Sequence, residues 1–248
     1  MLNVAVVIPA LNEAATIGPI VAACLEIAGV GRVIVVDDGS SDATAVNAAQ
    51  AGAEVVRHSS RRGKGASLAL GFQAALATGA RRIVTLDGDG QHRPEDIAPL
   101  LACSAAWPDA VVIGSRTGHG AGAPRARVAA NRVADFWVSW AARQAIEDSQ
   151  SGFRIYPAGL LGRLRGRRLA AGFAFESEIL IAAGRMGLRI FTVDIPAIYA
   201  GHRASHFRPV ADITCIVLMV AGKLLQRGMD PLGLWRSLRP GFRCGVKM

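Results

Sequence analysis

The sequence predicts an α/β fold: a mostly parallel central sheet with helices on both faces. Three observations carry this. Short β-branched runs alternate with helical patterns through the first half of the chain. Polar residues collect just after those runs, where ligands of such sheets gather. Of the 248 residues, 51% are hydrophobic and 19% charged. That suits one large domain, or a domain with a small appendage, and excludes a disordered chain.

Each element follows from local pattern. Residues 4–8, 33–36, 83–86 and 110–113 read as buried strands. Residues 14–28, 42–51, 64–78 and 94–103 read as helices between and after them, with Pro94 opening the last. Strand–helix alternation implies parallel pairing with helical cover on both faces. Residues 118–124 (GHGAGAP) form a Gly-rich loop, and 125–146 a long helix. A polar turn spans 148–154, a helix 174–186 and a strand 188–193. A basic loop occupies 202–208, and a helix, apolar for its first half, spans 209–227. The tail after Pro231 has no clear period.

Charge divides unevenly. Lys and Arg total 28 against 19 Asp and Glu, a net charge of +9. Before Arg154 there are 13 basic and 14 acidic residues; from Arg154 onward there are 15 and 5. The excess points to an anion-facing C-terminal region. Nucleic acid is not the expected partner, because aromatics are only 6% and do not interleave with basic residues. Cys24, Cys103, Cys215 and Cys244 form no CxxC pair, which argues for reduced thiols in the cytoplasm and against zinc or a disulfide framework. The chain enters an apolar strand without a basic leader, so no signal peptide is expected. The longest apolar stretch, 213–222, is roughly half a membrane span, enough to lie on a bilayer but not to cross it.

Four strand ends deliver polar groups to one rim: PALNE after the first, DDGSSD after the second, DGDGQH after the third and GSR after the fourth. Asp, Gly and Ser are ordinary turn formers, and Ser41 or Asp42 suits a helix cap. Turn chemistry explains one such loop more easily than four. Asp87-Gly88-Asp89 is the sharpest feature. Two carboxylates one small residue apart can both reach a hard divalent cation shared with substrate phosphates. Asp38, at a strand end, suits a ribose hydroxyl or a base edge. The RRGKG stretch fails the P-loop pattern, because Gly65 stands in the Ser/Thr place. It also fails the dinucleotide pattern, because Leu68 replaces the third Gly. It still places cations near the rim. No Ser-His-Asp or Cys-His set has supporting spacing.

The ordered set resembles family 2 glycosyltransferases with the GT-A fold, and most of all their dolichol-phosphate mannosyltransferase-like, polyprenyl-phosphate branch. The matching stretches are VVIPALNE (6–13), VVDDGSSDAT (35–44), RGKGASLALGFQAA (62–75), LDGDGQHRPEDI (86–97), IGSR (113–116), DSQSGFRIY (148–156), FESEI (175–179) and SHFRPVAD (205–212). The resemblance implies a GT-A domain over 1–208, followed by an apolar, basic helix and tail over 209–248 that contacts a membrane surface. Pro9, Ala10, Asn12, Glu13, Asp38 and Gly88 would hold the nucleotide sugar. Asp87, Asp89 and Gln91 would hold Mg²⁺ or Mn²⁺. Arg116 would approach the diphosphate or the acceptor phosphate. Ser205, His206 and Arg208 would close over the diphosphate, with His206 standing where many relatives carry Lys.

The implied activity is inverting, metal-dependent transfer of a hexosyl unit from a nucleotide-diphosphate sugar to a lipid-linked acceptor, polyprenyl phosphate, for a cell-envelope glycan. Asp89, Arg116, Asp148 and Glu176 form the implied catalytic set, with Asp148 and Glu176 as candidate bases should the acceptor be a hydroxyl on a lipid, glycan or small molecule. The expected setting is cytoplasmic, peripheral at the inner face of the cytoplasmic membrane, with an anionic membrane surface as partner. A catalytically silent nucleotide- or membrane-binding module is the alternative from another class, and the intact Asp87-x-Asp89 pair argues against it.

Overall fold

A computed structural model describes residues 3–116, 125–167, 169, 172, 174–196 and 209–245, with backbone only at 125–127 and 209–212. The strands are β1 (Val4–Ala10), β2 (Val30–Asp37), β3 (Glu54–Arg57), β4 (Arg82–Thr85), β5 (Val111–Ser115), β6 (Arg154–Pro157), β7 (Ile190–Asp194) and β8 (Phe242–Arg243). They form one sheet in the order β3-β2-β1-β4-β6-β5-β7-β8. Every pairing is parallel except those of β6, which runs antiparallel between β4 and β5.

Nine helices are described: α1 (Ile17–Leu25), α2 (Thr44–Gln50), α3 (Lys64–Ala77), α4 (Ile97–Ala106), α5 (Arg125–Ala142), α6 (Ala158–Leu164), α7 (Ala174–Arg185), α8 (Pro209–Leu225) and α9 (Pro231–Ser237). Strand side chains alternate between the two faces. Val7, Ile34 and Ile83 pack under Leu68, Phe72, Ile179 and Ile216 of α3, α7 and α8. Val6, Ile8, Val35 and Val84 pack under Ile17, Val21 and Leu100 of α1 and α4. Each such aliphatic side chain contributes about 1.5–3 kcal/mol of burial. The sheet is thus covered on both faces, as the alternating pattern predicts.

Five elements depart from the sequence reading. β3 is a short, partly exposed edge strand without clear alternation. β6 begins on charged Arg154 and ends on Pro157, which disguises a fully buried strand that starts where the expected polar turn ends. α6 and α9 have seven residues each, too few for a helical period to show. α8 is neither wholly buried nor wholly exposed. Ile213, Ile216, Val220 and Leu224 face the core at helical spacing, while Leu218 and Leu225 face out.

Candidate active site

The carboxyl ends of β1, β2, β4 and β5 open on one rim. After β1 the chain turns through Asn12 with a left-handed φ of 57°, which Asn tolerates better than most residues. The loop after β2 holds that turn. Asn12 N donates to Ser40 Oγ at 2.9 Å, Glu13 N to Thr44 Oγ1 at 2.8 Å and Ala14 N to Asp42 Oδ2 at 3.1 Å. In return Ser41 N donates to Asn12 Oδ1 at 2.9 Å. PALNE and DDGSSDAT therefore fold as one interlocked unit. Asp38 is buried and accepts from Arg62 N and Gly63 N, both at 2.8 Å. It fastens the RRGKG stretch to the rim. Behind it Asp37 is fully buried and pairs with Arg57 Nε at 2.9 Å.

Lys64 opens α3 and bridges two distant elements. Its Nζ lies 2.8 Å from Asp87 Oδ1 and 3.0 Å from Glu176 Oε2. Burial works to lower its pKa, but the Asp87 and Glu176 carboxylates prevail and hold it above the ordinary lysine value. Burial likewise opposes ionisation of Asp87. The Lys64 charge, with Arg116 behind it, holds that carboxyl below its usual value. Asp89 is different. Burial and the neighbouring Asp87 charge push its carboxyl up, against the Gln91 amide donated to its Oδ1 at 3.0 Å and the charges of Lys64 and Arg116.

Excess negative charge on two oxygen ligands is a fit for Mg²⁺ or Mn²⁺, which bind through one or two carboxylates and complete their shell with water and substrate phosphates. Among the described residues no group of three or more His, Cys, Asp or Glu converges on a metal position. Asp87 and Asp89 would share such an ion with water and substrate phosphates. Gly88 O accepts from Thr16 Oγ1 at 2.7 Å, which pins the Asp87–Asp89 turn to the start of α1.

Gly152 lies against this cluster. A Cβ there would stand 2.6 Å from Asp87 Oδ2 and 2.8 Å from Lys64 Nζ. Only glycine lets the 148–154 turn approach the ion pair so closely.

The opposite side of the rim is built from buried charge. Arg116 follows β5; its N–H donates to Asp148 Oδ2 at 3.0 Å and its Nε at 3.4 Å. Asp148 is buried, in the left-handed region at φ 51°. The next residue anchors the turn, with Ser149 N donating to Asp135 Oδ1 of α5 at 2.7 Å. Burial lifts the Asp135 carboxyl to about 6, although its hydrogen bonds to Ser149 pull the other way. Arg154 has no exposed surface and donates to Ser151 O, Tyr156 OH, Glu176 O and Ser149 O. His92 is buried 5.2 Å from the Phe153 ring; burial, then the Arg116 charge, pushes it down to about 4, so the imidazole stays neutral.

The structure brings Pro9, Ala10, Asn12, Glu13, Asp38, Asp87, Gly88, Asp89, Gln91, Arg116, Asp148 and Glu176 to this rim. Ser205, His206, Arg208 and the Gly-rich loop 118–124 lie outside the described residues. Lys64 as a bridge, Gly152, Asp135, His92 and Arg154 were not singled out by sequence reasoning. All but Asp135 lie in the quoted stretches: Lys64 in RGKG, His92 in LDGDGQHRPEDI, and Gly152 and Arg154 in DSQSGFR. Arg154 had been counted with the anion-facing excess. It is instead a buried hub that ties β6 to α7.

Comparison with known proteins agrees with this geometry. A family model described as glycosyl transferase family 2 matches residues 5–163. An uncharacterised protein of Methanocaldococcus jannaschii is 32% identical over 203 residues, 81% of this chain and 83% of that protein. The polyprenol monophosphomannose synthase of Mycolicibacterium smegmatis is 28% identical, covering 77% of this chain and 75% of its own. The glucosyl-3-phosphoglycerate synthase of Mycobacterium tuberculosis, solved with Mn²⁺, UDP-glucose and phosphoglyceric acid, superposes with a TM-score of 0.67 at 26% identity, covering 92% of this chain and 80% of that one. The chain belongs to glycosyl transferase family 2, and is a glycosyltransferase with the GT-A fold.

Proposed function

We propose that the enzyme transfers a hexosyl unit, with inversion, from a nucleotide-diphosphate sugar to a lipid-linked acceptor, polyprenyl phosphate. One observation carries the choice of acceptor: both candidate bases are buried and committed to cations. Asp148 is held by Arg116, and Glu176 by Lys64. A hydroxyl acceptor needs a base to take its proton. A phosphate oxygen is already ionised and needs none. Relatives support the reading, since the mycolicibacterial one is named for polyprenol monophosphomannose synthesis.

On this reading the interlocked 10–14 and 38–44 loops, with Asp38, seat the nucleoside. Asp87, Asp89 and Gln91 would hold Mg²⁺ or Mn²⁺ beside the donor. When bound, the ion supplies charge stabilisation to the departing diphosphate. Lys64 keeps Asp87 ionised and oriented. Arg116, fixed by Asp148, faces the acceptor phosphate. An acceptor oxygen bonds to the anomeric carbon as the carbon–diphosphate bond breaks on the opposite side, so configuration inverts and a nucleoside diphosphate leaves. Ser205, His206 and Arg208 remain proposed contacts to the diphosphate. Among the described residues no helix is long and apolar enough to cross a membrane. We place the enzyme in the cytoplasm at the inner membrane face, where a soluble donor meets a lipid acceptor.

A hydroxyl acceptor is the second reading. Glu176 Oε1 is buried with no hydrogen-bond partner among the described residues, a vacancy an acceptor hydroxyl would fill. The test is a thermal-shift panel of UDP, GDP and dTDP sugars with and without Mn²⁺, then transfer of labelled sugar to polyprenyl phosphate. A metal-dependent shift and an acid-labile, lipid-phosphate-linked product are expected. Label that appears only in phosphate-free or water-soluble products would overturn the lipid-phosphate reading.

A further inference from the structure

The four cysteines are far apart in the sequence, yet the fold brings two of them together. Cys103 lies on the buried face of α4, 1% exposed, in the core cluster that α4 shares with β5 and β7. Cys244 follows β8, is half-buried and packs against that same cluster. The backbone fixes its place: β8 pairs in parallel with β7, and Cys244 N donates to Thr192 O at 3.0 Å. The two thiols meet and share a hydrogen bond. Both are free, as is Cys215, which is exposed on α8.

β8 has only two residues, fewer than most strands, and side chains hold it to the sheet edge. A wall of rings supplies part of the contact. Trp107, just past α4, stacks on Phe191 of β7 with centroids 5.1 Å apart, and Phe191 meets Phe242 of β8 at 5.5 Å. The Arg189 guanidinium lies 4.9 Å from the Trp107 centroid and 5.5 Å from that of Phe242. Arg243 pairs with Asp194 at the end of β7 and with Glu147, the neighbour of Asp148. The tail strand thus reaches from the thiol pair to the Arg116 side of the rim, where Asp148 accepts from Arg116.

We propose that Cys103 and Cys244 are a redox-modified pair, joined by a disulfide that staples the tail strand to α4 when the surrounding thiol pool is oxidised. Neither residue belongs to the proposed transfer site. The oxidant is a low-molecular-weight disulfide, RSSR, of the glutathione class. Cys244 reacts first, because Cys103 is closed to solvent. The Cys244 thiolate attacks one sulfur of RSSR, the S–S bond breaks, and the departing RS⁻ takes up the Cys244 proton. Cys103 then attacks Cys244 Sγ in the mixed disulfide, and the second RS⁻ leaves with the Cys103 proton. Two protein thiols are oxidised to one disulfide, and one small disulfide is reduced to two thiols. Burial, and then contact with Cys244, pushes the Cys103 thiol well up, which keeps it protonated and bars it from the first step. A disulfide of this kind forms and opens with the thiol poise around it.

The test uses the full chain, purified with reductant and then held in glutathione buffers of graded redox ratio. Mass spectrometry of the intact chain and of its non-reduced peptides reads the product. A monomer about 2 Da lighter, carrying a linked Cys103–Cys244 peptide, is expected, and dithiothreitol should reverse it. The link should survive Cys215→Ser and be lost in Cys103→Ser and Cys244→Ser. Cys244→Ser alters a half-buried position, so it decides the matter where Cys103→Ser fails to fold. Oxidation should raise the melting temperature of the wild type by about 5 °C or more, because the staple closes a long loop, and leave that of Cys244→Ser unchanged. Glutathione left as a mixed disulfide on Cys244, or linkage through Cys215 instead, would sink the proposal. So would a pair still reduced when oxidised glutathione is in about tenfold excess over reduced. A Cys103–Cys244 link without a rise in melting temperature would overturn the stapling of the tail.

Discussion

The two halves of the rim are held in place by different physics. On the side proposed to hold the nucleotide, short hydrogen bonds run between adjacent loops, and each backbone amide has its own partner: Asn12 with Ser40, Glu13 with Thr44, Ala14 with Asp42. On the side proposed to meet the acceptor, buried charges reach across the fold, and single residues serve several partners. Lys64 spans Asp87 and Glu176, and Arg154 collects three backbone carbonyls and a phenol. The first arrangement is redundant and the second is not. Loss of one group should therefore cost little on the nucleotide side and much on the acceptor side.

The largest effect is expected at the acidic pair. Asp89→Ala removes a carboxylate that no other described residue replaces. Transfer should fall by about a hundredfold or more, and the Mn²⁺-dependent part of the donor thermal shift should vanish. Retention of full activity would remove the metal assignment. Next comes Gly152→Ala, which adds one methyl group against Asp87 and Lys64. The ion pair must part or the turn must move, so kcat should drop by roughly tenfold or more. Far-ultraviolet circular dichroism should remain that of the wild type. An unchanged kcat would mean that the two sides are not coupled through this contact.

A smaller effect, on stability, comes from Asp135. Its carboxyl titrates near about 6 in the folded protein because burial disfavours the charge, against about 3.9 when unfolded. A raised acid contributes stability that is fully present below about pH 4 and is lost as pH rises through about 6. Wild-type protein should lose on the order of 2 kcal/mol over that window relative to Asp135→Asn, whose amide oxygen can still accept from Ser149. Urea titrations at pH 4 and pH 7.5 read this directly. Parallel changes in the two proteins would show that Asp135 does not carry it.

The same contrast explains what was legible in the sequence. The nucleotide side is built from contiguous stretches, so PALNE and DDGSSDAT announce both their place at strand ends and their chemistry. The acceptor side depends on residues brought together from positions 64, 87, 152 and 176, and pattern reading has no access to such distances. Lys64 looked like one cation in a basic loop, and Arg154 like part of a surface excess. Burial, which a sequence does not display, turned both into internal struts. β6 was hidden for a related reason: a strand that opens on a buried arginine has no apolar signature at its start.

The smallest effect is the one that best probes redundancy. Thr44→Val keeps the shape of a buried side chain and removes the oxygen that accepts the Glu13 amide at 2.8 Å. An orphaned buried amide costs about 1–3 kcal/mol, yet Glu13 lies at a partly open rim where water can take the place of the hydroxyl, which points to the low end, about 1 kcal/mol. Asn12 and Ala14 stay tied to Ser40 and Asp42 on either side. The loop should keep its course, and the donor KM should rise by no more than about threefold. A collapse of donor binding on the scale of Gly152→Ala would show that the nucleotide side is as brittle as the acceptor side, and that its many hydrogen bonds act as one cooperative unit.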